Sequence, residues 1–119
     1  MTAQPYHAKL SKALERQGGL WTLHDILERI ADGRMQSFVE NNSWMVTQIS
    51  VFPRRRVLDV IALVGDLADH RGLDGQLVKF ANKMNIDLVS AYGRRGWLPF
   101  GTALGWKVHA TNYLFTKEL

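Results

Sequence analysis

Between residues 69 and 75 the chain reads Asp-His-Arg-Gly-Leu-Asp-Gly, a glycine-bearing connection between an apolar run and a helical pattern. Such a loop can aim the unpartnered N–H groups of a helix start at a phosphate, with Arg71 as the cation and Gly72 and Gly75 allowing close approach. The same residues serve equally well as a plain turn. A second candidate is Asp59, a carboxylate inside the apolar run 57–64. Burial disfavours a charged carboxylate and so makes it a proton acceptor, whereas an outward-facing or hydrogen-bonded Asp59 would be structural. Glu40, the other strand carboxylate upstream, sits beside Asn41-Asn42 and reads as a solvated turn residue. Two cationic clusters could meet nucleic acid. Arg54, Arg55 and Arg56 follow Pro53 at a hairpin turn, where they also discourage edge pairing. Arg94 and Arg95 lie close to Trp97, combining phosphate contact with a stacking surface.

Other chemistries are disfavoured by composition. The chain of 119 residues has no cysteine, so disulfides, thiol nucleophiles and thiolate metal sites are excluded. His7, His24, His70 and His109 stand far apart, with no i, i+4 pair, and no metal site is expected. The 15 basic and 11 acidic side chains give a net charge of +4 and a pI near 9.7, which permits attraction to phosphate without choosing its source. No apolar run is long enough to span a membrane, and residues 1–19 lack the pattern of a secretion signal.

The elements that must position these residues follow from hydrophobic period. Tyr6, Leu10, Ala13 and Leu14 give a first helix over 5–17, stopped by Gly18-Gly19. Thr22 caps a second helix, with Asp25 three residues on as the capping-box partner, and Leu23, Ile26, Leu27 and Ile30 share its apolar face. The period then changes to two, giving strands over 35–40 and 44–51 around a polar turn. Residues 57–64 are apolar apart from Asp59, as expected of a central strand covered on both faces. A connection over 65–75 leads into a helix over 73–84, a buried strand over 86–92, a short helix near 97–104 and a last strand over 107–116. Strand, crossover helix and parallel strand make a right-handed βαβ unit. Trp21, Trp44, Trp97 and Trp106 read as core fillers ahead of a partner surface.

The stretches GGLWTLHDILERIADGRMQSF, WMVTQISVFPRRRVLDVIALVGD and YGRRGW, with the ending TKEL, together resemble small bacteriophage and prophage proteins of the GNAT-like type, often encoded near head-assembly genes. The resemblance covers residues 20–119, with 1–19 as an added N-terminal helix in a single domain. It implies an α/β fold of the GNAT N-acetyltransferase type, a mixed sheet flanked by helices whose parallel central strands splay around acetyl-CoA. The backbone of Leu63 and Val64 would then line the cofactor, Arg71, Gly72 and Gly75 would meet its pyrophosphate, and the strand carboxylate needed as a base would be Asp59.

Three departures stand out. Active relatives of this type carry Arg/Gln-x-x-Gly-x-Gly/Ala before the helix, whereas Arg71-Gly72-Leu73-Asp74-Gly75 is one residue short and puts a carboxylate where an anion would dock. The tyrosine that protonates the departing thiolate should stand four residues before the pair matched by Gly105-Trp106; that position is Gly101, beside Phe100. The asparagine common at the start of that helix is replaced by Arg94. Tyr92 and Tyr113 are the phenols left to substitute, each equally readable as a strand aromatic. The resemblance therefore leaves two functions open: an acetyl-CoA-dependent N-acyltransferase, or a non-catalytic virion or assembly component contacting phage structural proteins. Nucleic-acid binding is a third, resting on charge. The host cytoplasm or the phage virion is the implied location.

Overall fold

The computed structural model describes residues 5–16, 18–92, 98–109 and 117–119. Helices α1 (Pro5–Glu15) and α2 (Leu23–Ala31) come first. The expected capping box closes α2: Asp25 N–H donates to Thr22 Oγ1 at 3.2 Å, and Thr22 N–H donates to Asp25 Oδ2 at 2.9 Å. Three antiparallel strands follow, β1 (Gln36–Glu40), β2 (Ser43–Val51) and β3 (Arg56–Val64). Helix α3 (His70–Lys83) carries the chain back so that β4 (Leu88–Ala91) pairs with β3 in parallel. The sheet order is β1-β2-β3-β4, and a short helix α4 (Leu98–Ala103) comes last.

The apolar run predicted to be central is central. β3 has a partner on each side, and its two faces feed two separate cores. Trp44, Val46 and Ala62 pack with Leu10 and Leu14 of α1 and Ile26 of α2. Met45 and Leu58 pack on the other face with Leu73, Leu77 and Ala81 of α3. A β-bulge joins these patterns: Val46 pairs with Ala62 but Thr47 with Val60, so Ile61 is the extra residue. It leaves both Ile61 and Ala62 against the α1/α2 core and returns Leu63 to the α3 core.

The main difference from the sequence expectation is where α3 begins. A short 3-10 turn (Leu67–Asp69) runs directly into His70, so Arg71, Gly72 and Gly75 lie inside the helix rather than in a loop before it. Each interior glycine costs a helix about 1 kcal/mol. Full burial of Leu73 and Leu77, one turn apart on the sheet-facing side, returns roughly 1.5–3 kcal/mol each and outweighs that cost. The strand expected over 86–92 is confined to Leu88–Ala91. Of the strand expected over 107–116, residues 107–109 are irregular and 110–116 lie outside the described residues.

The join between β3 and α3 turns on Gly65. Its φ is +125°, and a Cβ there would sit 2.1 Å from Ser43 Oγ. Gly33 also has positive φ, +84°, but open space around it. We expect Gly65→Ala to lower unfolding free energy by roughly 3–5 kcal/mol, through backbone strain plus overpacking. Gly33→Ala, which carries the backbone strain alone, should cost about 1–2 kcal/mol. Urea unfolding of the two variants checks this, and equal losses would rule out the Ser43 contact as the cause.

Candidate active site

The β3–β4 pairing runs from Val57↔Leu88 to Val60↔Ala91 and stops there, while β3 continues to Val64. Residues 61–64, among them Leu63 and Val64, therefore have β2 on one side and no described strand on the other. Among the described residues no strand pairs with the backbone groups of that edge, and such an edge can take a ligand's amides. The bulge at Ile61 marks where the opening begins.

Asp59 lies two residues before the bulge, on the face opposite Leu58 and Val60 and thus on the α1/α2 side. Its register neighbours are Gln48 on β2 and Ser90 on β4. Both carboxylate oxygens accept a hydroxyl: Ser50 Oγ donates to Oδ2 and Ser90 Oγ to Oδ1. All three side chains are half-buried, so Asp59 is hydrogen-bonded yet within reach of a ligand. Two fixed donors orient the carboxylate and leave further lone pairs available to an amine. Ser50 and Ser90 are functional candidates that the sequence alone does not expose. Their only signal is polarity at alternate strand positions, and it takes the sheet register to show that they converge on one aspartate.

The first turn of α3 is organised around carboxylates. Asp69 is buried and accepts from Ser43 Oγ at 2.5 Å and Asn41 Nδ2 at 2.7 Å. Ser43 Oγ in turn accepts from Asp66 N–H at 2.8 Å. The Ser43 hydroxyl, then the Asn41 amide, hold the Asp69 carboxyl below the usual carboxylate range, against the opposing effect of burial. Burial pushes the His70 imidazole down, partly offset by Asp69 beside it. Glu40 is not the solvated turn residue its sequence suggests. It is half-buried, its Oε2 accepts from Gln76 Nε2 at 2.9 Å, and a Cβ on Gly72 would fall 2.6 Å from its Cδ. Asp74 accepts the Trp106 indole N–H at 2.7 Å. Arg71 is exposed, and Gly75 faces open space.

The other sequence candidates are spread out. Arg54, Arg55 and Arg56 are exposed at the β2–β3 turn, where Phe52 N–H donates to Arg55 O at 2.9 Å and Arg55 pairs with Asp87 at 3.5 Å. They sit at the start of β3, roughly 25 Å along the strand from the α3 end, and so cannot join one site with Arg71. Tyr92 directly follows the last β4 pair and is 86% exposed. Gly101 packs beside Trp106 and supplies no proton donor. Trp44 fills the core, and Trp21 lies under the Arg29 guanidinium at 4.7 Å. Arg94, Arg95, Trp97 and Tyr113 lie outside the described residues. Among the described residues no group of His, Asp and Glu is placed to hold a metal ion, and no helix is long and apolar enough to cross a membrane.

No protein-family model matches the sequence, and no curated relative matches it. Solved structures do match in shape. A Trypanosoma brucei acetyltransferase is 21% identical, with 93% of this chain and 94% of that one covered and a TM-score of 0.60. A predicted acetyltransferase from Clostridium acetobutylicum, solved with acetyl-CoA, is 14% identical over 98% of this chain and 92% of that one, with a TM-score of 0.64. An aminoglycoside 6'-N-acetyltransferase from Acinetobacter haemolyticus is 13% identical over 98% and 96%, with a TM-score of 0.58. At such identities the likeness establishes the fold: a GNAT-like mixed sheet flanked by helices.

The Asp69 network has a pH consequence. A carboxyl whose folded value is depressed stabilises the fold above its unfolded value, near pH 3.9, and that contribution is lost as pH falls through the folded value. Asp25, held down first by the Thr22 backbone N–H, and Asp32, held down first by Arg34, act in the same window. The protein should therefore lose stability progressively below about pH 4. Asp69→Asn should be less stable at neutral pH and show a shallower acid loss, as read by urea midpoints across that range. An acid limb parallel to the parent's would remove Asp69 from the network's pH response.

Proposed function

We propose that the chain is an N-acyltransferase that moves an acyl group from an acyl-CoA, of which acetyl-CoA is the representative, to a primary amine. The observation that carries this reading is Asp59, fixed by Ser50 and Ser90 beside the end of the β3–β4 pairing. The GNAT-like fold, shared with a structure solved with acetyl-CoA, supports the choice of donor.

The two ends of such a donor meet different surroundings. Its pantetheine arm needs a strand edge for its amides, and residues 61–64 offer one, with the backbone of Leu63 and Val64 lining it. Its phosphates would meet Arg71 and the open side of Gly75, while the approach to Gly72 is taken by Glu40. The thioester supplies an activated acyl carbonyl. Everything else falls to the chain. Asp59 accepts the proton that the amine gives up as its nitrogen joins the acyl carbon. Ser50 and Ser90 keep the carboxylate aimed, and the exposed Tyr92 can return a proton to the sulfur as the C–S bond breaks.

A second reading is a binding-only protein, as a virion or assembly component among phage structural proteins; the carboxylates around the α3 start are what favours it. The two readings differ in one assay. Incubation with acetyl-CoA and a panel of primary amines should release free thiol under the first reading and none under the second. Asp59→Asn should then lower kcat by about 10²–10⁴-fold with donor binding unchanged, and Tyr92→Phe should lower it less. Full turnover by Asp59→Asn would remove the aspartate from the chemistry.

A further inference from the structure

A helix start attracts anions because its N–H groups and dipole present about half a positive charge. At α3 two carboxylates of the chain stand near that charge, Asp69 without a side-chain cap hydrogen bond to the helix. Asp69 sits at the N-cap position, buried, and is held by Ser43 and Asn41. Glu40 reaches across from the end of β1 to the third helical residue. Two carboxylates face one exposed cation, Arg71, in this turn, and they outweigh the half charge of the helix.

Geometry points the same way, independently of charge. Gly72 is the residue whose missing side chain would let a phosphate oxygen come close to the backbone. The Glu40 carboxyl carbon already fills that space, 2.6 Å from where a Cβ would be. Glu40 is not free to swing aside, since Gln76 Nε2 holds its Oε2 at 2.9 Å and is itself tied to Val39 O at 3.0 Å. Asp69 cannot turn outward without leaving Ser43 and Asn41 unpaired. Asp74, one turn further along, is committed to the Trp106 indole.

We infer that this protein recognises its acyl donor through the thioester-bearing arm alone, and that Glu40 and Asp69 cancel the affinity a diphosphate would otherwise gain at the start of α3. The inference rests on the acyl-donor reading above and narrows it. The donor class is a pantetheine thioester for which the nucleotide end is indifferent. Glu40 is the specificity-determining residue, and Gln76 positions it.

Calorimetric titration with two probes tests this: acetyl-CoA, and S-acetylpantetheine, which has the same arm but no diphosphate or nucleotide. The parent protein should bind the two within about threefold of each other, because the cancelled helix charge gives the diphosphate no net gain. Glu40→Ala, which removes both the charge and the carboxyl carbon beside Gly72, should tighten acetyl-CoA by about tenfold and leave S-acetylpantetheine unchanged. Gln76→Ala, which frees Glu40 to move, should shift acetyl-CoA in the same direction by less. Thermal melting of each variant reports whether the fold is kept. A parent that prefers acetyl-CoA by more than about tenfold, or a Glu40→Ala variant that gains nothing, overturns the inference and leaves the acyltransferase reading standing. Absence of binding by either probe to either protein removes both.

Discussion

Ser43 Oγ accepts the Asp66 N–H and donates a hydrogen bond to Asp69 Oδ2, while Asn41 Nδ2 donates to Asp69 Oδ1. This small network ties the β1–β2 turn to the β3–α3 connection, and much of the molecule's geometry depends on it. Gly65 must have positive φ and no Cβ for the chain to pass over Ser43. Once it does, the 3-10 turn sets Asp69 against the hairpin and fixes where α3 starts. The direction of α3 then determines where β4 returns, and hence which stretch of β3 it pairs with. A buried carboxylate with both oxygens satisfied specifies one arrangement, because any shift leaves polar groups unpaired.

The two faces of the sheet divide the labour. On the α3 face, Leu58, Leu73, Leu77 and Ile86 close a dry core. On the other face α1 and α2 cover only the part around Trp44, Val46 and Ala62, so Gln48, Ser50, Asp59 and Ser90 remain half-buried at its edge. The bulge at Ile61 keeps both regions on one strand by changing which side chains face which helix partway along β3. A carboxylate can be polar, oriented and reachable only on the partly covered face.

What the sequence made legible follows from the range of the forces involved. The α2 cap, the strand turns and the doubly covered β3 are local or periodic signals, and each appears in the structure. The start of α3 was not legible, because glycines at 72 and 75 mimic a loop until the burial of Leu73 and Leu77 is counted. Nor was the role of Glu40, read as a turn residue: Gln76, its partner, is 36 positions away. Asp59 was visible as an odd carboxylate in an apolar run, but Ser50 and Ser90 acquire meaning only through register. Long-range pairing decides such cases, and no periodicity encodes it.

Net charge misleads for the same reason. A chain at +4 with a pI near 9.7 invites a phosphate reading everywhere, yet electrostatic work is done over a few ångströms and is screened beyond about 8–10 Å. Residues 65–76, where a phosphate would have to dock, hold Asp66, Asp69 and Asp74 against Arg71, and Glu40 adds to them from β1. Arg54, Arg55 and Arg56 lie at the far end of β3, too distant to offset that local charge. Asp69, Asp74 and Glu40 each accept from a neutral donor among the described residues. Such bonds position the carboxylates without neutralising them. The start of α3 therefore remains acidic inside a basic protein, and the local field there differs in sign from what the total charge suggests.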